Sequence, residues 1–128
     1  MQNASSSRLP RILAIDDDSG MCELYKDHFS SRGFEVWTAA NARDAIDLCA
    51  RMQPHFIFLD LRMKGGSGIA AFPQLRAAVP SARIYVISGF RKELEDFHKT
   101  GLKPDAWFEK PVSLIELEEI LLRELDPM

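Results

Sequence analysis

Four places in the sequence put reactive side chains at the ends of apolar runs: Asp16-Asp17-Asp18, Asp60, Ser88-Gly89 and Lys110-Pro111. If the fold gathers these ends, carboxylates crowd together, and like charges about 4 Å apart repel by roughly 4 kcal/mol at an effective dielectric near ~20. A hard divalent ion with oxygen ligands, Mg²⁺ above all, relieves that repulsion while keeping several waters, and Lys110 adds a fixed positive charge. Metal, ammonium and the Ser88 hydroxyl together would surround a phosphoryl group, whose equatorial oxygens need their charge neutralised during transfer. One carboxylate is then a candidate nucleophile. Aspartate accepts phosphate covalently, and the resulting acyl phosphate is reactive enough to be lost again to water, which suits a temporary mark.

The elements that must position these residues are legible as an alternation. Five short runs, Arg11 to Ile15, Glu35 to Ala39, Phe56 to Asp60, Arg83 to Ser88 and Ala106 to Glu109, are rich in β-branched or aromatic residues and read as strands. The first, third and fourth are apolar at nearly every position, as central strands of a parallel sheet covered on both faces are. Between them lie stripes of helical period: Met21, Leu24, Tyr25, His28 and Phe29; Ala42, Ala45, Ile46 and Cys49; Ile69, Phe72, Leu75 and Val79; and finally Leu114, Leu117, Ile120, Leu121 and Leu125. Gly33 is placed to end the first helix, Asn41 to cap the second, and Ser113 with Glu116 to box the last, leaving Glu118, Glu119 and Glu124 toward water. Leu94 and Phe97 anchor a short fourth helix. Pro73 should kink the third helix or delay its start. Five strand-helix units predict an open, doubly wound α/β fold with a five-stranded parallel sheet and five helices, in which ligands bind beyond the carboxyl ends of the strands.

The 128 residues suit one domain, and a formal charge of −3, spread evenly, argues against an electrostatic footprint for nucleic acid. No apolar run approaches the length of a membrane span, and the polar start of the chain lacks the apolar core of a secretory signal, so a cytoplasmic protein is expected. Cys22 and Cys49 read as small packed hydrophobes. His28, His55 and His98 have no metal-ligand spacing.

Ile-Leu-Ala-Ile-Asp16-Asp17-Asp18, Phe-Ile-Phe-Leu-Asp60-Leu-Arg-Met63 with Gly68 eight after the aspartate, Val-Ile-Ser88-Gly89, and Trp107-Phe-Glu-Lys110-Pro111 stand in an order that resembles the receiver domain of bacterial response regulators. The resemblance spans residues 11 to about 125 and implies a flavodoxin-like fold, with residues 11–126 as the receiver domain behind a flexible tail of residues 1–10. It implies that Asp60 accepts a phosphoryl group from a phosphohistidine on a histidine kinase or phosphotransfer protein. Asp17, Asp60 and the backbone carbonyl of Arg62 would hold Mg²⁺, with Asp16 acting mainly through a coordinated water. Lys110 and Ser88 would bind phosphoryl oxygens, Ser88 and Trp107 would switch together, and the Lys110–Pro111 bond would be cis. The face of the fourth helix, fifth strand and fifth helix would then change shape for a downstream protein or a fused effector domain, and would support at most a weak dimer.

Several positions depart from that family's pattern. Lys64 stands where proline is usual, Trp107 is bulkier than the common Tyr or Phe, and Phe90 and Arg62 flank the path of an attacking water. We expect the apolar Phe90 to slow loss of the phosphoryl group. Rival readings remain at this point: three acids serving a helix N-terminus, a Mg²⁺-dependent phosphohydrolase of haloacid dehalogenase type with Asp16 as nucleophile and Asp18 as acid/base, or a receiver fold that binds partners without phosphate. The chain also reads either as a stand-alone regulator or as the receiver piece of a longer one.

Overall fold

The computed structural model describes residues 9–63 and 66–126. The expected tail therefore falls largely outside the described residues, as does Lys64. The elements run β1 (Arg11–Ile15), α1 (Ser19–Ser30), β2 (Glu35–Ala39), α2 (Ala42–Met52), β3 (Phe56–Asp60), β4 (Arg62–Met63), β5 (Gly66–Ser67), α3 (Gly68–Ala78), β6 (Arg83–Ser88), α4 (Arg91–Lys99), β7 (Ala106–Glu109) and α5 (Leu114–Leu125). Five strands form one parallel sheet in the order β2-β1-β3-β6-β7, the doubly wound, flavodoxin-like arrangement. The order reverses beside β1. The crevice above β1, β3 and β6 is thus the place where this topology puts a ligand.

Strand periodicity divides the core in two. Leu13, Ile15, Ile57, Leu59, Ile84 and Val86 face α2, α3 and α4, where they meet Ala45, Cys49, Phe72, Leu75 and Phe97. Ile12, Ala14, Phe56, Phe58, Tyr85 and Ile87 point the other way, onto Tyr25 and Phe29 of α1 and Leu117 and Leu121 of α5. A strand whose every residue is buried, as in β3, can only be central, which is why those runs carry no polar alternation.

Local signals set the helix ends. Asn41 Oδ1 accepts from the Asp44 amide at 2.8 Å, and Ser113 Oγ accepts from the Glu116 amide at 3.2 Å. Gly33, at φ 94°, turns the chain out of α1 in a conformation that favours glycine.

Some expectations need correction. Leu24 and Leu125, read as core-facing, are 54% and 43% exposed, because each lies at the margin of a stripe whose centre is already filled by Tyr25 and Leu121. Glu118 does not face open water: its carboxylate accepts from His28 Nε2 at 2.8 Å and lies 3.4 Å from Arg32 Nε, tying α5 to α1. Pro73 lies inside a continuous α3 rather than at its start, so only the amide bond to the Ile69 carbonyl is forfeited. The small antiparallel pair β4–β5 was not anticipated. Two-residue strands carry no period to read.

Candidate functional site

The carboxyl ends of β1, β3, β6 and β7 converge as the topology demands. The amide of Asp16 donates to Ala39 O at 3.0 Å, that of Leu61 to Ile87 O at 3.0 Å, and that of Lys110 to Ser88 O at 2.8 Å, so sheet pairing continues one residue past each strand. This places Asp16, Asp60, Ser88 and Lys110 at one edge. Asp16, 2% exposed, accepts from the Asp18 amide at 2.9 Å through Oδ1 and from Lys110 Nζ at 2.9 Å through Oδ2. Asp60, 5% exposed, accepts from the Arg62 amide at 3.3 Å through Oδ1, and Lys110 Nζ lies 3.5 Å from its Oδ2.

Gly68 sets the height of this edge. Its amide donates to Leu61 O at 2.9 Å, and a Cβ there would stand 2.4 Å from Asp60 O and 2.7 Å from Leu61 Cα. The start of α3 can sit against the acceptor strand only because position 68 has no side chain. The Lys110–Pro111 peptide bond is cis.

Three carboxylates, Asp16, Asp17 and Asp60, each bring one oxygen to within 4.8 Å of the other two. With Lys110 as the ammonium among them, the fully ionised group carries a net charge of −2. Burial, and after it the neighbouring charge of Asp16, raises the Asp60 carboxyl to about 6; Lys110 and the Arg62 amide offset only part of this. Burial alone would depress the Lys110 ammonium, but the hydrogen bond to Asp16 and the charges of Asp60 and Asp16 outweigh it and hold it above its ordinary value. An all-oxygen donor set of three carboxylates, opening beside Asp16 and Asp17 on a cleft of about 370 Å³, fits a small hard dication that retains water.

The other residues singled out from the sequence divide. Ser88 is fully buried; its Oγ donates to Phe90 O at 3.2 Å and accepts from the Phe90 amide at 3.1 Å. Trp107 is half-buried on β7, with the Phe97 ring at 5.8 Å and the His98 ring at 3.6 Å. Asp18 parts from the other two acids: its exposed carboxylate accepts from the Gly20 and Met21 amides and caps α1. Sequence reasoning gave it a chemical role only in the hydrolase reading and weighed service to the helix N-terminus beside it; for Asp18 the structure shows the latter. Reading the sequence also missed that the Arg62 guanidinium lies 4.0 Å over the Phe90 ring, since a contact between side chains 28 residues apart leaves no local pattern.

A family model, the response regulator receiver domain, matches residues 12–122. The chain belongs to this receiver-domain family. Its relatives include sporulation initiation phosphotransferase F of Bacillus subtilis, 24% identical over 90% of this chain and 93% of that protein. They also include response regulator MprA of Mycolicibacterium vanbaalenii, 31% identical over 91% of this chain. The chain spans nearly all of the former and about half the length of the latter. Among solved structures, a Burkholderia pseudomallei response regulator with a phosphorylated aspartic acid, calcium ion and citrate superposes with a TM-score of 0.76, at 25% identity, over 90% of this chain and 72% of that one. TrrA of Thermotoga maritima in complex with Mg²⁺-BeF gives 0.78, at 25% identity, over 90% and 98%.

Receiver membership and the capping role of Asp18 together overturn the hydrolase reading, which needs that carboxylate as acid/base. Receiver domains are signalling domains. Among the described residues, no helix is long and apolar enough to cross a membrane.

Proposed function

We propose that residues 11–126 form a phosphorylation-dependent switch of a two-component system, with Asp60 accepting the phosphoryl group of a phosphohistidine on a histidine kinase or phosphotransfer protein. An Asp60 carboxylate oxygen attacks phosphorus, the phosphorus–nitrogen bond breaks, and the imidazole leaves with the electron pair and takes up a proton. The observation that carries this reading is the buried Asp60 gathered with two further carboxylates and a lysine ammonium at the carboxyl edge of the sheet. Asp17, Asp60 and the Arg62 carbonyl would hold Mg²⁺ directly and Asp16 would hold it through water; the ion supplies charge neutralisation at the transferring oxygens. Lys110 contributes a fixed charge to one of those oxygens.

Ser88 gives up its bond to Phe90 O and donates to another phosphoryl oxygen, and Trp107 then moves into the space vacated. The face of α4, β7 and α5 changes shape for a downstream protein or a fused effector domain, in a cytoplasmic setting. Phe90 shields the acyl phosphate from water and lengthens its life.

Intact mass after incubation with Mg²⁺ and acetyl phosphate tests the acceptor. Wild type gains one phosphoryl group and Asp60→Asn gains none; equal gain in both proteins rejects Asp60.

A further inference from the structure

We propose that Arg62 and Phe90 form a latch that holds the switch in its unphosphorylated arrangement. Both ends of their stack are tied to the site. The Arg62 amide donates to Asp60 Oδ1 at 3.3 Å, and the Phe90 amide donates to Ser88 Oγ at 3.1 Å while Phe90 O accepts from it at 3.2 Å. Between them the Arg62 guanidinium sits 4.0 Å from the Phe90 ring centroid. The four residues close a loop running from Asp60 to Arg62, across to Phe90 and back to Ser88.

Phe90 also carries the start of α4. Its carbonyl accepts from the Glu93 amide at 3.1 Å and from the Leu94 amide at 3.4 Å, and its side chain makes no capping bond. The Ser88–Phe90 turn and the first turn of α4 therefore move as one piece. To donate to a phosphoryl oxygen on Asp60, the Ser88 hydroxyl gives up its bond to Phe90 O, which frees that turn to shift relative to Arg62. From the other side, an acceptor carrying close to two negative charges draws the guanidinium off a ring face that holds it only through its quadrupole. Phosphorylation thus loosens the stack at both ends, and the intact stack favours the unmodified state.

A cation–π contact at an exposed site is worth about 0.5–1 kcal/mol, or roughly a two- to fivefold bias. This inference rests on the reading of Asp60 and Ser88 above, and the test separates the two. Beryllofluoride with Mg²⁺ serves as the phosphoryl mimic, and Trp107 emission in a Trp37→Phe background reports its binding to the full chain. Phe90→Leu and Arg62→Gln each tighten apparent affinity about two- to fivefold, the double variant goes no further than either single one, and Phe90→Tyr with Arg62 intact behaves as wild type. Additive or absent effects overturn the latch and leave Asp60 untouched.

Amide hydrogen exchange of residues 91–94 without the mimic gives the second measurement. Exchange quickens in Phe90→Leu, in Arg62→Gln and equally in the double variant; unchanged rates overturn the latch. A mimic that binds Asp60→Asn as well as wild type sinks the acceptor assignment instead, and exchange alone then decides the latch.

Discussion

At the amino-terminal end of the sheet, Arg76 lies 3.0 Å from Asp105 and Arg83 lies 3.8 Å from Asp105 and 2.9 Å from Glu124, two cations on two acids. At the carboxyl-terminal end, Asp16, Asp17 and Asp60 gather, and the Lys110 ammonium meets Asp16 and Asp60. The first set is neutral, and Asp105 also accepts from the Ile84 amide at 2.8 Å, which fixes where β7 begins against β6. The second crowds like charges, and burial with the charge of Asp16 raises the Asp60 carboxyl. A scaffold gains from balanced charge at a partly buried position, whereas a site that must bind a cation and a phosphoryl group has to be left unbalanced in their absence. The same residue type, aspartate at the end of a strand, is a clamp at one end and a crowded, buried carboxylate at the other.

Gly68 sets how closely α3 approaches the acceptor strand. Gly68→Ala should destabilise the protein by about 2–3 kcal/mol, since the new methyl meets the backbone of Asp60 and Leu61, which cannot yield as a flexible side chain can. Urea denaturation measures it, and a loss below about 0.5 kcal/mol would show that the acceptor strand is not pinned by α3.

Removing charge should have opposite signs at the two ends. Asp60 titrates from 3.8 when unfolded to about 6 when folded, raised by burial first and then by Asp16. With the folded value the higher one, the native state holds the extra proton between these limits. Stability from this group is therefore complete below pH 3.8 and is lost as pH rises through 6. In chelator-treated buffer near pH 7.5, Asp60→Asn should gain roughly 1–3 kcal/mol over wild type, with the gain vanishing below about pH 4. Asp105→Ala should instead lose about 1–3 kcal/mol, because it leaves the Ile84 amide, on a fully buried residue, without its carboxylate. A shared sign would break the contrast.

What could be read from the chain follows the same division. The five strands of the main sheet were legible to the residue because β1, β3 and β6 are buried on both faces and their apolar runs stop where the polar tips begin. Asp60, Ser88 and Lys110 were legible as candidates because each sits at such a stop. Which acid does what was not. Asp18 has the same composition and neighbourhood as Asp16, and only the direction of the chain after β1 sends one carboxylate to the helix amides and the other to Lys110. Glu118 was misread for a related reason: helical period gives the angle of a side chain but not the neighbouring helix whose His28 it meets.

Magnesium sharpens the contrast from the ligand side. A dication that binds the native acidic edge and not the unfolded chain raises the melting temperature, by an amount equivalent to about 2.7 kcal/mol at a hundredfold excess over Kd. We expect this rise in wild type, a much smaller one in Asp17→Asn, and no change in the magnesium response on Asp105→Ala. Equal responses in wild type and Asp17→Asn would mean that the ion binds elsewhere.

The smallest expected effect is that of removing His98, which lies over Trp107 on the edge strand. Its indole is covered from outside by the His98 ring at 3.6 Å and bounded inside by Phe97, which is fully buried. Removing His98 takes away the cover without touching the acidic edge. In the Trp37→Phe background, His98→Ala should red-shift Trp107 emission by a few nanometres, since water then reaches the ring, while the stability cost stays within about 1 kcal/mol for a surface contact. Phe97→Ala should cost about 3–5 kcal/mol, because it empties a position packed against Phe72 and the sheet. The pair thus separates the two sides of the indole: a solvent cover whose loss is read in emission, and a core wall whose loss is read in stability. An unshifted spectrum in His98→Ala would mean that the indole is shielded by more than the His98 ring.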